Sequence, residues 1–247
     1  MLARIKDQLF YLVFAWALPL EQFGYIQWAK GWSQYPYNLT VQNVIQITFP
    51  VYSRLQHDPR LLAKAIEKSL FFISLGIFPI LVGMCIFIQP FTDLYQNWGK
   101  WQPGIFSFIL FTISIGFAAI STPLTNTLNA IGKINTTLKL MIMWTALTWT
   151  LTPLFIWPLG YGFDGVAITS FVISITSIIP VIIVKKIIPF SMWDQIWRQL
   201  LASMIMAIYG YYFISTWSSS WENFGIGIAS AGLLYVVVML LCGYDKT

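Results

Sequence analysis

Apolar runs of about 20 residues follow one another along this chain, each closed by a short polar turn. A run of that length, poor in charge, lets an α-helix cross the roughly 30 Å hydrocarbon core of a bilayer at about 1.5 Å per residue. The composition agrees: 57% of the residues are hydrophobic and only 9% are charged, where a soluble domain carries about 25%. A membrane β-barrel would alternate polar and apolar residues over segments of about ten positions, and no such segments occur. The expected fold class is all-α, a polytopic helical membrane protein.

Prolines, glycines and charged turns divide the chain into about eight spans, near 4–18, 22–55, 61–90, 105–130, 136–157, 165–184, 192–215 and 224–241. Arg4 and Lys6 before Leu-Phe-Tyr-Leu-Val-Phe-Ala-Trp-Ala also resemble a signal peptide with Ala15-Trp16-Ala17 as its cleavage site. Asp7 in the flank and Pro19 just beyond favour a first membrane helix. The second span is longer than a bilayer is thick, and Pro36 and Pro50 are its expected kinks. Asp58 before Pro59 is the expected cap of the third span. Trp98 and Trp101 edge the loop that follows it, as interfacial tryptophans do. The residues 193–199 open the seventh span amphipathically.

Charge gives the direction. With the N-terminus in the cytoplasm, every basic residue except Lys30 and Lys100 falls on the cytoplasmic side, while Glu21, Asp93, Asp164 and Glu222 fall outside. Both termini are then cytoplasmic, in the cell inner membrane. The net charge of +5 is spread singly or in pairs between apolar runs, which is not a nucleic-acid footprint. Cys85 and Cys242 both lie in apolar runs and build no disulfide framework or metal site. His57 lies in a polar turn as a solvated loop residue.

The stretch 23–58 is the exception to this apolar pattern. Lys30, Gln34, Asn38 and Gln42 recur every four residues along it, with Asn43 and Gln46 nearby. Polar side chains at membrane depth are expensive unless they face protein or water, so the row is expected to line a polar cavity. Lys30 lies roughly 13 Å inside its span. It either snorkels to the headgroups or presents a cation to an anionic head such as a phosphate. A second polar face holds Thr122, Thr125, Asn126 and Asn129 around Pro123. Hydroxyls there are also explained by bonding back to their own helix. The candidate substrate-binding residues are Lys30, Gln34, Asn38, Gln42 and Asn126.

Enzyme signals are absent. The sequence holds no DDxxD, HExxH or GxSxG, and no pair of carboxylates lies close together within a span. Gly160-Tyr161-Gly162-Phe163-Asp164-Gly165 falls on the outer face, where ATP is not available. No cofactor or metal is expected.

Several motifs carry a family resemblance. Phe23-Gly24-Tyr25-Ile26-Gln27-Trp28-Ala29-Lys30 and Phe49-Pro50-Val51-Tyr52-Ser53-Arg54-Leu55-Gln56-His57-Asp58 resemble the seventh-to-eighth helix region of the oligosaccharide flippases. These form the polysaccharide-biosynthesis branch of the multidrug/oligosaccharidyl-lipid/polysaccharide exporter superfamily. Asn129-Ala130-Ile131-Gly132-Lys133 resembles the family's small-x-Gly-basic turn, and Gly162-Phe163-Asp164-Gly165-Val166-Ala167 its G-x-x-G-x-A helix entry. The resemblance implies two six-helix lobes in a full-length relative, sometimes followed by two further helices. Residues 1–190 then correspond to the C-terminal lobe and 191–247 to the extra pair. It further implies a first lobe, in the same longer chain or a separate one, as partner. The implied activity is transport of a lipid-linked oligosaccharide, a polyprenyl-pyrophosphate sugar repeat unit, across the bilayer by alternating access. The alternatives are a cation-coupled small-molecule or drug exporter of the same superfamily, which would carry acidic residues within its spans, and a membrane enzyme or accessory scaffold.

Overall fold

The computed structural model describes residues 18–242 apart from positions 96, 218 and 219. The span expected near 4–18 lies almost wholly outside the described residues. Every regular element among them is helical. Helix α1 (Leu20–Tyr37) runs through a π turn (Asn38–Gln42) into α2 (Asn43–Arg54). Helix α3 (Pro59–Leu94) is followed by a 3₁₀ turn (Gly99–Gly104) that enters α4 (Ile105–Ala130), and α5 (Ile134–Ile156) comes next. Helices α6 (Asp164–Ile175) and α7 (Ile178–Ile187) form one broken segment, and α8 (Met192–Trp217) and α9 (Trp221–Leu241) complete the bundle.

Among the described residues, five segments are long and apolar enough to cross a membrane: Pro59–Leu94, Gly99–Ala130, Ile134–Ile156, Asp164–Ile187 and Trp221–Leu241. The continuous Leu20–Arg54 run and α8 are long but more polar. The first carries Lys30 and its row of amides, and the second opens on Asp194, Gln195, Arg198 and Gln199.

Local chemistry explains the boundaries. Asp58 caps α3 as expected: its Oδ1 accepts from the backbone N–H groups of Arg60 at 3.0 Å and Leu61 at 3.1 Å, with Pro59 at the first helical position. Asp58→Ala is expected to lower stability by about 1 kcal/mol and Asp58→Asn to leave it nearly unchanged, as read from thermal unfolding in detergent. Gly132, at φ +76°, makes the left-handed turn between α4 and α5. The break between α6 and α7 falls at Thr176 and Ser177, where a continuous helix over 165–184 was expected. Pro180 has no N–H for the Thr176 carbonyl and disfavours helical backbone just before it. The chain instead makes tight turns there, Thr176 N–H donating to Ile173 O at 2.9 Å and Ser177 N–H to Ser174 O at 3.0 Å.

Four apolar clusters hold the helices together. At one end, Ile26, Trp28 and Ala29 of α1 pack on Ile105 and Phe108 of α4, Ile156 of α5 and Ala167 of α6. Trp28 stacks on Trp101 at 5.5 Å and meets Trp98 edge-on at 6.2 Å, so the turn after α3 plugs the mouth of the bundle. At the other end, Tyr52 of α2, Ile66 of α3, Leu128 of α4, Leu140 of α5 and Val184 of α7 come together. The basic residues Arg54, Arg60, Lys133, Lys185 and Lys186 flank this second end. Between the two, Val41 in the π turn meets Ile77 of α3, Ala119 of α4 and Ile196 of α8. Helix α8 packs along α3 and against α9. Polar ties fix this pair to α3: Ser191 N–H donates to Glu67 Oε1 at 2.7 Å, the Tyr235 hydroxyl donates to Leu75 O at 2.9 Å, and the Ser74 hydroxyl reaches Gln195 O at 3.5 Å.

Candidate functional site

A polar cavity of about 370 Å³ opens between α1, α4, α5 and α6. Each helix turns one face toward it. Helix α1 contributes Lys30, Ser33 and Gln34, and α4 contributes Ser114, Ala118, Thr122 and Thr125, one step of three or four residues apart. Trp144, Thr148 and Thr152 line it from α5 at strict four-residue steps. Helix α6 supplies Thr169, Ser170 and Ser174, and Ser177 closes the wall at the helix break. Lys30 is the one charged side chain among these wall residues, and it is half-buried.

The wall hydroxyls are held by their own helices. On α4, Ser114 donates to Leu110 O at 2.7 Å, Thr122 to Ala118 O at 2.6 Å and Thr125 to Thr122 O at 2.9 Å. On α5, Thr148 donates to Trp144 O at 2.7 Å. On α6, Thr169 donates to Gly165 O at 2.8 Å, Ser170 to Val166 O at 3.0 Å and Ser174 to Phe171 O at 2.6 Å. Ser33 and Ser121 do the same toward Lys30 O and Ala118 O. These bonds give each hydroxyl proton a carbonyl acceptor on its own helix and hold the side-chain rotamers.

Contacts between helices set the spacing of the walls. The Tyr37 and Thr122 hydroxyls lie 3.0 Å apart and join α1 to α4; with the Thr122 proton given to Ala118 O, the tyrosine is the donor. The Trp144 indole N–H donates to Thr176 Oγ1 at 2.9 Å, tying α5 to the break after α6. The Ser107 hydroxyl donates to Asp164 Oδ1 at 2.6 Å and pins the start of α6 to α4.

Of the candidate residues, Lys30 and Gln34 line the cavity. Asn38 and Gln42 are exposed and are not among its wall residues, and Asn126 is half-buried and also stands outside the wall. The reason is angular. An α-helix turns about 100° per residue, so each four-residue step from Lys30 toward Asn38 advances about 40° and the row winds out of the cavity, and Gln42 lies in the π turn, where the phase changes again. Thr122 and Thr125, from the second polar face, are wall residues, while the neighbouring Asn126 points away from that wall's membership by the same rotation. The α5 face was missed in the sequence. Its signal is the four-residue spacing of Trp144, Thr148 and Thr152 in an otherwise apolar run.

The sequence model of a family described as polysaccharide biosynthesis protein matches residues 1–103. In structure the chain is similar to a lipid II flippase MurJ in an inward closed conformation, with a TM-score of 0.76 and 19% identity. The match covers 91% of this chain and 48% of that one, so the chain spans about half the flippase's length. No curated protein matches the chain in sequence. At this identity the structural likeness speaks for the fold. The family match over residues 1–103 agrees with the resemblance to a polysaccharide-biosynthesis family drawn from the sequence motifs.

Proposed function

We propose that this chain is the C-terminal part of a flippase that carries a lipid-linked oligosaccharide across the cytoplasmic membrane for surface polysaccharide biosynthesis. The observation that carries this reading is the cavity: a hydroxyl-lined chamber with one cation, Lys30, set inside a helical bundle of flippase fold. A hydroxyl-lined wall suits a sugar, and an ammonium suits the phosphate that joins it to lipid. A cation-coupled drug exporter would place carboxylates in the chamber, and no Asp or Glu is among the wall residues. In this reading residues 1–190 form one six-helix lobe, 191–247 add two helices, and a matching first lobe completes the transport path. Alternation of access between the lobes moves the substrate, and the basic end near Arg54 and Lys133 faces the cytoplasm.

The test is complementation. The chain, fused to or co-expressed with a matching first lobe, is expected to restore O-antigen or capsule in a flippase-null strain. A set of such constructs that insert stably and restore nothing overturns the proposal.

A further inference from the structure

A serine or threonine hydroxyl carries one proton and two lone pairs. In the cavity wall the proton is committed: among the wall hydroxyls, all but Thr152 and Ser177 donate it to a carbonyl of their own helix. The direction is certain, because a carbonyl oxygen only accepts. The Trp144 indole N–H is likewise spent, on Thr176 Oγ1. The α4, α5 and α6 faces therefore turn lone pairs toward the cavity. Thr152 Oγ1 is fully buried against it and has no hydrogen-bond partner within the protein. Side chains rich in N–H donors stand only on α1, as the Lys30 ammonium and the Gln34 amide.

We infer that the cavity is divided by hydrogen-bond polarity. The α4–α5–α6 wall accepts the hydroxyl protons of an uncharged sugar, and the α1 corner at Lys30 and Gln34 holds the anionic phosphate. This assignment rests on the flippase reading for its biological substrate, but its chemistry stands on the wall itself. A phosphate oxygen against this wall would meet mostly lone pairs, with only the Thr152 and Ser177 protons uncommitted to offset its lost hydration. A metal cation would share the chamber with an ammonium and find no carboxylate among the wall residues to offset it. A sugar hydroxyl can donate to the wall lone pairs of half-buried Thr125 and Thr148.

The full chain in lipid nanodiscs provides the test, with maltose and inorganic pyrophosphate as probes and saturation-transfer NMR as the readout. Thr125→Val with Thr148→Val removes two acceptors at nearly constant shape. It is expected to weaken maltose about 10-fold, two hydrogen bonds of ordinary worth, and to leave pyrophosphate within about twofold. Thr125→Ser with Thr148→Ser is expected to keep wild-type maltose binding, which separates lost acceptors from a disturbed helix. Lys30→Gln is expected to reverse the pattern, losing pyrophosphate and keeping maltose. Failure of the wild-type chain to bind maltose overturns the inference, as does equal loss of both probes in the valine pair. Sodium binding, read by ²³Na line width, that vanishes in the valine pair while maltose binding persists also overturns it. The two readings fail separately. A valine-pair chain that still restores surface polysaccharide sinks the polarity assignment and leaves the flippase. The expected probe pattern in a chain that restores nothing does the opposite.

Discussion

Lys30→Ala is expected to lower the polysaccharide rescued by the fused transporter at least about tenfold, with the amount of membrane-inserted protein unchanged. A charge-assisted hydrogen bond in a partly desolvated site is worth about 1.5–3 kcal/mol, and about 1.4 kcal/mol is already a factor of ten. Lys30 is the only charged wall residue, so no neighbour in this wall takes over its role. Its position explains why the loss falls on transport and not on folding: it is half-buried and lines the cavity, while the buried packing residues of α1 in the apolar cluster at this end are Ile26, Trp28 and Ala29. Lys30→Arg keeps the charge and is expected to retain much of the activity. Surface polysaccharide measured by immunoblot, normalised to protein in the membrane fraction, checks both. Full activity in the alanine variant means that the lysine merely reaches for headgroups, and the phosphate corner is then lost.

The largest structural effect is expected at Gly165. A Cβ there would sit 2.9 Å from Ile156 N and 2.9 Å from Phe155 C, both backbone atoms that no side-chain rotation can move aside. Gly165→Ala gains up to about 1 kcal/mol of helix propensity but forces α6 away from α5, a cost of about 1–3 kcal/mol on the scale of overpacked interiors. The steric cost wins, because Val166 and Ala167 beside it are buried and leave α6 little freedom to shift. The unfolding midpoint in detergent is expected to drop by several degrees. Transport is expected to fall with it, since Thr169 and Ser170 ride on the same helix. Gly232→Ala on α9 is the control: its Cβ meets nothing within 4 Å, and the midpoint is expected to hold or rise. Equal midpoints for the two variants would mean that the α5–α6 approach is not the constraint described.

Much of this was legible in the sequence where backbone chemistry punctuates it. Asp58-Pro59 announces the start of α3, Gly132 the turn after α4, and Gly162, at φ +55°, with Gly165 the entry to α6. Two of the motifs read as a family likeness, those at Gly132 and at Gly162–Gly165, thus mark positions where the fold tolerates no Cβ or needs a left-handed turn. Lys30 and Gln34 were legible because polar residues in an apolar run have to face something polar. Asn38 and Gln42 stand outside this wall, since a spacing of four looks straight on paper and winds on a helix. The α5 wall went unseen for a different reason. Threonines that bond back to a helix look the same in sequence whether they face a cavity or a neighbour, and only the positions of α4 and α6 make Thr148 and Thr152 part of a chamber. Among the described residues five segments are long and apolar enough to cross a membrane, because length and apolarity diverge in Leu20–Arg54 and α8.

The π turn at Asn38–Gln42 has a consequence for how the continuous Leu20–Arg54 rod is shared. One wider coil takes up an extra residue and sets the faces above and below it out of phase. The upper half can therefore keep Lys30 and Gln34 turned into its own bundle while the lower half shows Asn43 and Gln46 to whatever lies alongside. Deleting one residue in that coil would bring the halves back into step and swing one set of side chains away from its surroundings. The rod serves two environments because it is, rotationally, two rods.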